Sequence, residues 1–189
     1  MHTDTPTSFR QAFSIIEVMI GIFIFSLGLV AIYALLISSL SLSEYNKNAI
    51  IASQLAVEQI EIVRNIRDTN YKTLRGWDSI PGSASFSQGY YIVENDFSGN
   101  QIQITEIGSF VEGRDKLSDM DAYRLCMNDN GVYTFDCTSS NNTQTPFYRY
   151  LFIEEIGDST LRLKSKVIWY SRGYHDYDIT TLITDWRRL

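Results

Sequence analysis

The sequence predicts an α+β chain in which one long amino-terminal α-helix, apolar enough along its first half to cross a membrane, packs on an antiparallel β-sheet. Three observations predict it. Almost every residue from Ile15 to Leu40 is apolar. Apolar residues then recur at helical spacing as far as Ile66, with no Pro between Phe13 and Arg75. The last part of the chain holds three strand-like runs separated by short turns.

At about 1.5 Å per residue the run from Ile15 to Leu40 covers about 39 Å, more than the roughly 30 Å hydrocarbon layer of a bilayer. It exceeds the roughly 7–15 apolar residues of a secretory signal peptide, so an uncleaved anchor fits better. Glu17 interrupts the run. An ionised carboxylate in hydrocarbon costs a few kcal/mol, roughly, without a partner or water. Glu17 therefore either has a functional role there or lies near enough to the membrane face to stay hydrated, and spacing alone leaves both open.

Beyond Leu40, Ile50, Ile51, Leu55, Ile60, Val63 and Ile66 form a broad helical stripe, which extends the helix. Arg64 and Arg67 suit a carboxyl end, and Asp68-Thr69-Asn70 supplies stop residues, predicting termination near residue 69. The helix would then be about 80 Å long. Residues 71–88, with Gly76, Pro81-Gly82 and several serines, read as a connecting loop that Trp77 could anchor to the core. Tyr90–Glu94 and Gln101–Ile107 flank Asn95 to Asn100 as a hairpin. Tyr148–Ile156, Thr160–Tyr170 and Tyr174–Thr184 are strands with antiparallel pairing, because the turns between them are short. Along the middle one, Leu161, Leu163, Ser165, Val167 and Trp169 define the face expected to pack on the helix.

The chain has 189 residues, enough for one globular domain plus the long helix. With 20% charged, 44% apolar and 13% aromatic residues it is expected to fold. A formal net charge of -6 opposes nucleic-acid binding. His2 and His175 are the two histidines, which leaves few members for a soft-metal site or histidine acid–base chemistry.

Ala12-Phe13-Ser14-Ile15-Ile16-Glu17-Val18, after a short polar leader containing Arg10, resembles the type IV prepilin processing motif: a small residue, then Phe, then Glu at the fifth mature position. The resemblance implies cleavage between Ala12 and Phe13 by a prepilin peptidase and N-methylation of Phe13. Ala12 stands where the family usually has Gly, and Ala34 where major pilins carry a kinking Pro. The stretches Phe25–Ala31 and Gln54–Glu61, followed by Arg64, are similar to PilV-type minor pilins and the I-class pseudopilins of type II secretion.

What the resemblance implies is a leader over 1–12, a transmembrane and assembly segment over 13–40, an amphipathic upper helix over 41–69, and an extracytoplasmic β-rich head over 70–189. The chain would sit in the inner membrane as a single-pass protein and then enter a pilus or pseudopilus, as an initiating or tip subunit. Its partners would be the prepilin peptidase, other pilins or pseudopilins, the inner-membrane assembly platform and the membrane itself. The resemblance also gives Glu17 a partner, the freed amine of Phe13 in a neighbouring subunit. A permanently anchored extracytoplasmic ligand-binding module is the alternative. An enzyme is a distant third, since no nucleophile, metal or phosphate-binding arrangement stands out.

Cys126 and Cys137, eleven positions apart in a segment placed outside the cytoplasm, are expected to form a disulfide rather than two buried thiols. Asn128-Asp129-Asn130-Gly131 lacks the spacing and late Glu of a calcium loop and reads as a turn. Glu112, Asp115, Asp119 and Asp121 read as solvated surface, and no metal or cofactor is assigned. His175 beside Asp176 reads as a strand-edge pair with no nucleophile placed near it. Tyr90, Tyr91, Phe147, Tyr148, Tyr150, Phe152, Trp169, Tyr170, Tyr174 and Tyr177 could form an aromatic patch for a ligand or another subunit but read mostly as core or sheet-face residues, and Thr138 to Thr145 reads as an exposed polar loop.

Overall fold

The computed structural model describes residues 14–80, 85–96, 101–107, 121–157 and 159–187. The leader, Ala12 and Phe13, the hairpin tip after Asp96, and Glu112, Asp115 and Asp119 lie outside the described residues. The chain divides into two compact units, Met1–Glu44 and Tyr45–Leu189. One α-helix, α1 (Ile15–Lys72), contributes its first part to the former and its remainder to the latter.

Among the described residues seven strands follow: β1 (Gly89–Asp96), β2 (Gln101–Ile107), β3 (Arg124–Met127), β4 (Tyr133–Thr134), β5 (Thr143–Glu155), β6 (Thr160–Tyr170) and β7 (Tyr174–Thr184). They form one sheet in which every pairing is antiparallel. The α+β architecture is the one expected, a long helix on an antiparallel sheet. β5 is central. Its whole second half pairs with β6 on one edge. Its other edge is shared: Leu151–Ile153 pair with β1, and Thr143–Tyr148 with β3. The β1–β2 hairpin and the β3–β4 pair thus leave the same edge of β5 as two prongs of a fork.

The face of β6 chosen from its alternation is the face that packs on α1. Leu161, Leu163, Ser165, Val167 and Trp169 are all buried. Ile62, Val63 and Ile66 of α1 meet Tyr91, Val93, Leu151, Ile153, Leu163 and Ile183 in one cluster. Ala52, Leu55 and Ala56 meet Leu125, Phe147, Val167 and Trp169 in a second. Small Ala side chains at 52 and 56, one turn apart, let the helix backbone approach the bulky Phe147 and Trp169. Trp77 joins the first cluster, as its place in the connecting segment suggested.

Three features depart from the sequence reading. α1 runs to Lys72 instead of ending near residue 69. Asn70 does not stop it; its buried side chain donates to the carbonyls of Trp77 (3.4 Å) and Ser79 (2.7 Å) and holds the following segment against the helix. The helix closes instead with Leu74 in the left-handed region (φ 57°), Arg75 N donating to Asn70 O and Leu74 N to Tyr71 O. Second, β5 starts at Thr143, inside the stretch read as a polar loop, and β3 and β4 were not foreseen. Third, the sheet buries part of its other face as well: Tyr123, Tyr148, Tyr150 and Ile168 form a cluster, flanked by Tyr90, Phe152 and Tyr174.

Candidate functional site

Among the described residues, the apolar side chains of the first part of α1 are exposed. Its most apolar 18-residue stretch has a mean hydropathy of 2.7 and none of it is buried. Ile15, Phe25 and Leu35 are 81%, 67% and 71% exposed. By length and composition this is a helix able to cross a membrane. Two of its hydroxyls are satisfied within the helix: Ser26 Oγ donates to Ile22 O (2.7 Å) and Ser41 Oγ to Ile37 O (2.9 Å).

Glu17 occupies the first turn of the helix, where its backbone N donates to Ser14 O (3.0 Å), as does that of Val18 (3.3 Å). Its carboxylate makes no hydrogen bond or ion pair among the described residues, and it is exposed. A structural role is open to it, because an acidic side chain near a helix amino terminus gains roughly 0.3–1 kcal/mol from the macrodipole. That gain is smaller than the roughly 2.5–3.5 kcal/mol that an acidic residue costs within a membrane. Helix stabilisation alone therefore does not balance a carboxylate placed in lipid.

In the other unit the structure joins Cys126 and Cys137 as a disulfide, with Cα atoms 5.4 Å apart. The bond ties β3 to the segment after β4. Within the loop it closes, Asn128 Oδ1 accepts the backbone N–H groups of Asn130 and Val132 (both 3.0 Å), and Gly131 takes φ 75°, so the Asn-Asp-Asn-Gly stretch is the turn its composition suggested. Asp136 accepts from Ser139 Oγ, Thr138 Oγ1 (2.7 Å) and the backbone N of Thr138 (2.9 Å). These donors, that of the Ser139 hydroxyl first, hold its carboxyl well below the usual carboxylate range.

His175 lies in β7 between two rings, stacked on Trp169 (5.5 Å, 28°) and edge-on to Tyr45 (5.1 Å), with Nε2 at 3.2 Å from Ser171 O. Its neighbour Asp176 pairs instead with Lys166 (3.2 Å). The two are not set up as a catalytic pair.

One residue that matters to this unit escaped the sequence reading. Arg149 of β5 is 1% exposed and holds α1 to the sheet, donating to Glu58 Oε2 (3.1 Å), Leu55 O (3.3 Å) and Val93 O (3.2 Å), with its guanidinium 5.3 Å from the Phe135 ring. Burial lowers its pKa, and the Glu58 carboxylate opposes that shift. The signal was present: Arg149 shares the inward parity of Phe147, Leu151 and Ile153, and only an acidic residue on the helix makes that placement tolerable. Gln59 Oε1, accepting from Ser165 Oγ (2.8 Å), is the second polar tie across the same interface.

Residues 8–33 match the family model described as the prokaryotic N-terminal methylation motif. No curated protein and no solved structure matches the chain significantly. The match, with the long helix whose apolar first part it overlaps, supports a type IV pilin-like protein and fits a membrane-anchored one. Proteins defined by this motif are structural, and it implies processing and assembly with other pilin components.

Proposed function

We propose that this chain is a minor pilin or pseudopilin, a structural subunit of a type IV pilus or a type II secretion-like filament that acts in assembly initiation or at the tip. A prepilin peptidase cuts between Ala12 and Phe13 and methylates Phe13. Before assembly the subunit crosses the inner membrane once with its carboxyl-terminal domain outside the cytoplasm. The observation that carries this reading is the methylation motif at residues 8–33, which overlaps the start of a helix whose apolar side chains from Ile15 to Leu40 are exposed among the described residues.

The physics of Glu17 supports it. At an effective dielectric of about 20, two unit charges 4 Å apart attract by about 4 kcal/mol. That is comparable with the roughly 2.5–3.5 kcal/mol needed to place the carboxylate in the membrane. The amine freed on Phe13 of a neighbouring subunit is such a charge. Leaving lipid then requires only that neighbouring helices replace the apolar surroundings of Ile15 to Leu40.

Mass spectrometry of the mature amino terminus tests the processing, with N-methylated Phe13 expected. A Glu17→Val variant is expected to stay in the membrane fraction while its entry into filaments, or its priming of them, falls at least about tenfold, since a loss of only about 1.4 kcal/mol is tenfold. A protein that still begins at Met1 points to a permanently anchored binding module instead. Normal incorporation of Glu17→Val removes the role given to Glu17.

A further inference from the structure

The two prongs that leave the edge of β5 diverge and enclose a cleft of about 610 Å³, within the roughly 300–1,000 Å³ span of small-ligand sites. We propose that this cleft is a binding site for a neutral saccharide. The inference does not depend on filament assembly, because it concerns only the unit from Tyr45 onward.

The lining chemistry selects the ligand. Asn95 and Gln103 stand on the β1–β2 prong, Asn128 and Asn130 in the turn between β3 and β4, and Asn142 just before β5. A carboxamide offers a donor and an acceptor side by side, which matches the paired hydroxyls of a sugar ring, each of them donor and acceptor. The side chains of Asn95, Gln103 and Asn130 make no hydrogen bond among the described residues, so their capacity is unspent. Tyr133 adds an aromatic ring to the wall.

Other ligand classes fit worse. Among the described residues no Lys, Arg or His lines the cleft, while Glu94 and Asp136 do, and their charge disfavours phosphates and carboxylates. Both carboxylates are already engaged, Asp136 by Ser139 and Thr138, and Glu94 by the backbone N of Phe135 (3.3 Å). The wall is also held in place before any ligand arrives. The Cys126–Cys137 bond, the Asn128 turn and the Glu94 bridge from one prong to the other fix it, which limits the ordering entropy lost on binding.

The test uses the full chain in zwitterionic, sugar-free detergent micelles. It is titrated with neutral oligosaccharides built from glucose, galactose, mannose or N-acetylglucosamine, followed by saturation-transfer NMR and calorimetry. Saturable binding of at least one is expected. Gln103→Ala and Asn130→Ala, both at exposed positions without internal hydrogen bonds, should each weaken it about three- to tenfold, the effect of one lost hydrogen bond. Thr180→Ala on β7, a strand outside both prongs, should leave it unchanged. No saturable binding across the panel, affinity untouched by the two cleft variants, or tighter binding of sialylated or phosphorylated sugars than of neutral ones overturns the proposal.

Discussion

The two parts of α1 are one backbone with opposite fates. From Ile15 to Glu44 every described residue but Ser41 is exposed, although nearly all are apolar. From Ala52 to Tyr71 ten residues are buried, and the apolar ones among them, Ile60 apart, cluster with side chains of the sheet. Apolarity does not separate the two, since Ile24 and Ile66 are the same residue type. The difference lies in where the complement resides. The second part finds it within its own unit; for the first, exposed among the described residues, lipid or another molecule would supply it.

Substituting that shared residue type tests the comparison most severely. Ile66→Ala, at a site only 2% exposed, should lower the unfolding free energy of the sheet-bearing unit by about 3 kcal/mol through lost burial and a cavity. Ile24→Ala, at a site 63% exposed, should change it by less than about 0.5 kcal/mol. Near-ultraviolet circular dichroism of the full chain in micelles, which reports on the buried Trp169, distinguishes them. Equal effects would mean that the first part of the helix stabilises the other unit, and the comparison would fail.

The polar ties of the second part give an effect no larger than that, and an asymmetric one. Glu58 is partly exposed while Arg149 is buried. Glu58→Ala leaves a guanidinium uncompensated in the core and should cost about 3 kcal/mol. Arg149→Met removes the charge and leaves Glu58 able to hydrate; it should cost about 1 kcal/mol, chiefly from the lost bonds to Leu55 O and Val93 O. Urea unfolding of both variants checks the order. The reverse order would mean that the carbonyl bonds, and not the charge, hold α1 to the sheet.

Much of this architecture was legible because it follows from periodicity and turn chemistry. The limits of β6 and β7, and the face of β6 that meets α1, can be read from alternation between Gly-containing turns. The Cys126–Cys137 bond follows from its expected compartment. What was not legible depends on tertiary partners. β3 and β4 are four and two residues long; β3 is a strand because β5 offers it an edge, and β4 because β3 in turn offers it one. The helix passes Asp68-Thr69-Asn70 because Asn70 bonds to a segment that folds back on it, so a residue that reads locally as a stop serves as a brace. The cleft likewise arises from two hairpin-like prongs sharing one edge of β5, and no local pattern encodes that.

The smallest expected effect concerns two carboxylates, one in each unit. Glu17 has no partner among the described residues, whereas Asp136 is surrounded by donors from Thr138 and Ser139. Those donors prefer the ionised form, so the folded pKa of Asp136 lies below the roughly 3.9 of an unfolded Asp. The sign follows from linkage: the contribution is fully present above about pH 4 and is lost as pH falls through the folded value. Because the group is exposed, the global stability hardly moves, and the readout has to be local. The amide resonances of Thr138 and Ser139 should titrate with a midpoint clearly below 3.9, roughly the unperturbed value, and Asp136→Asn should abolish the transition. A midpoint at or above that value would mean that the loop does not hold its carboxylate, and the contrast between a unit that satisfies its own charge and one that does not would lose its clearest example.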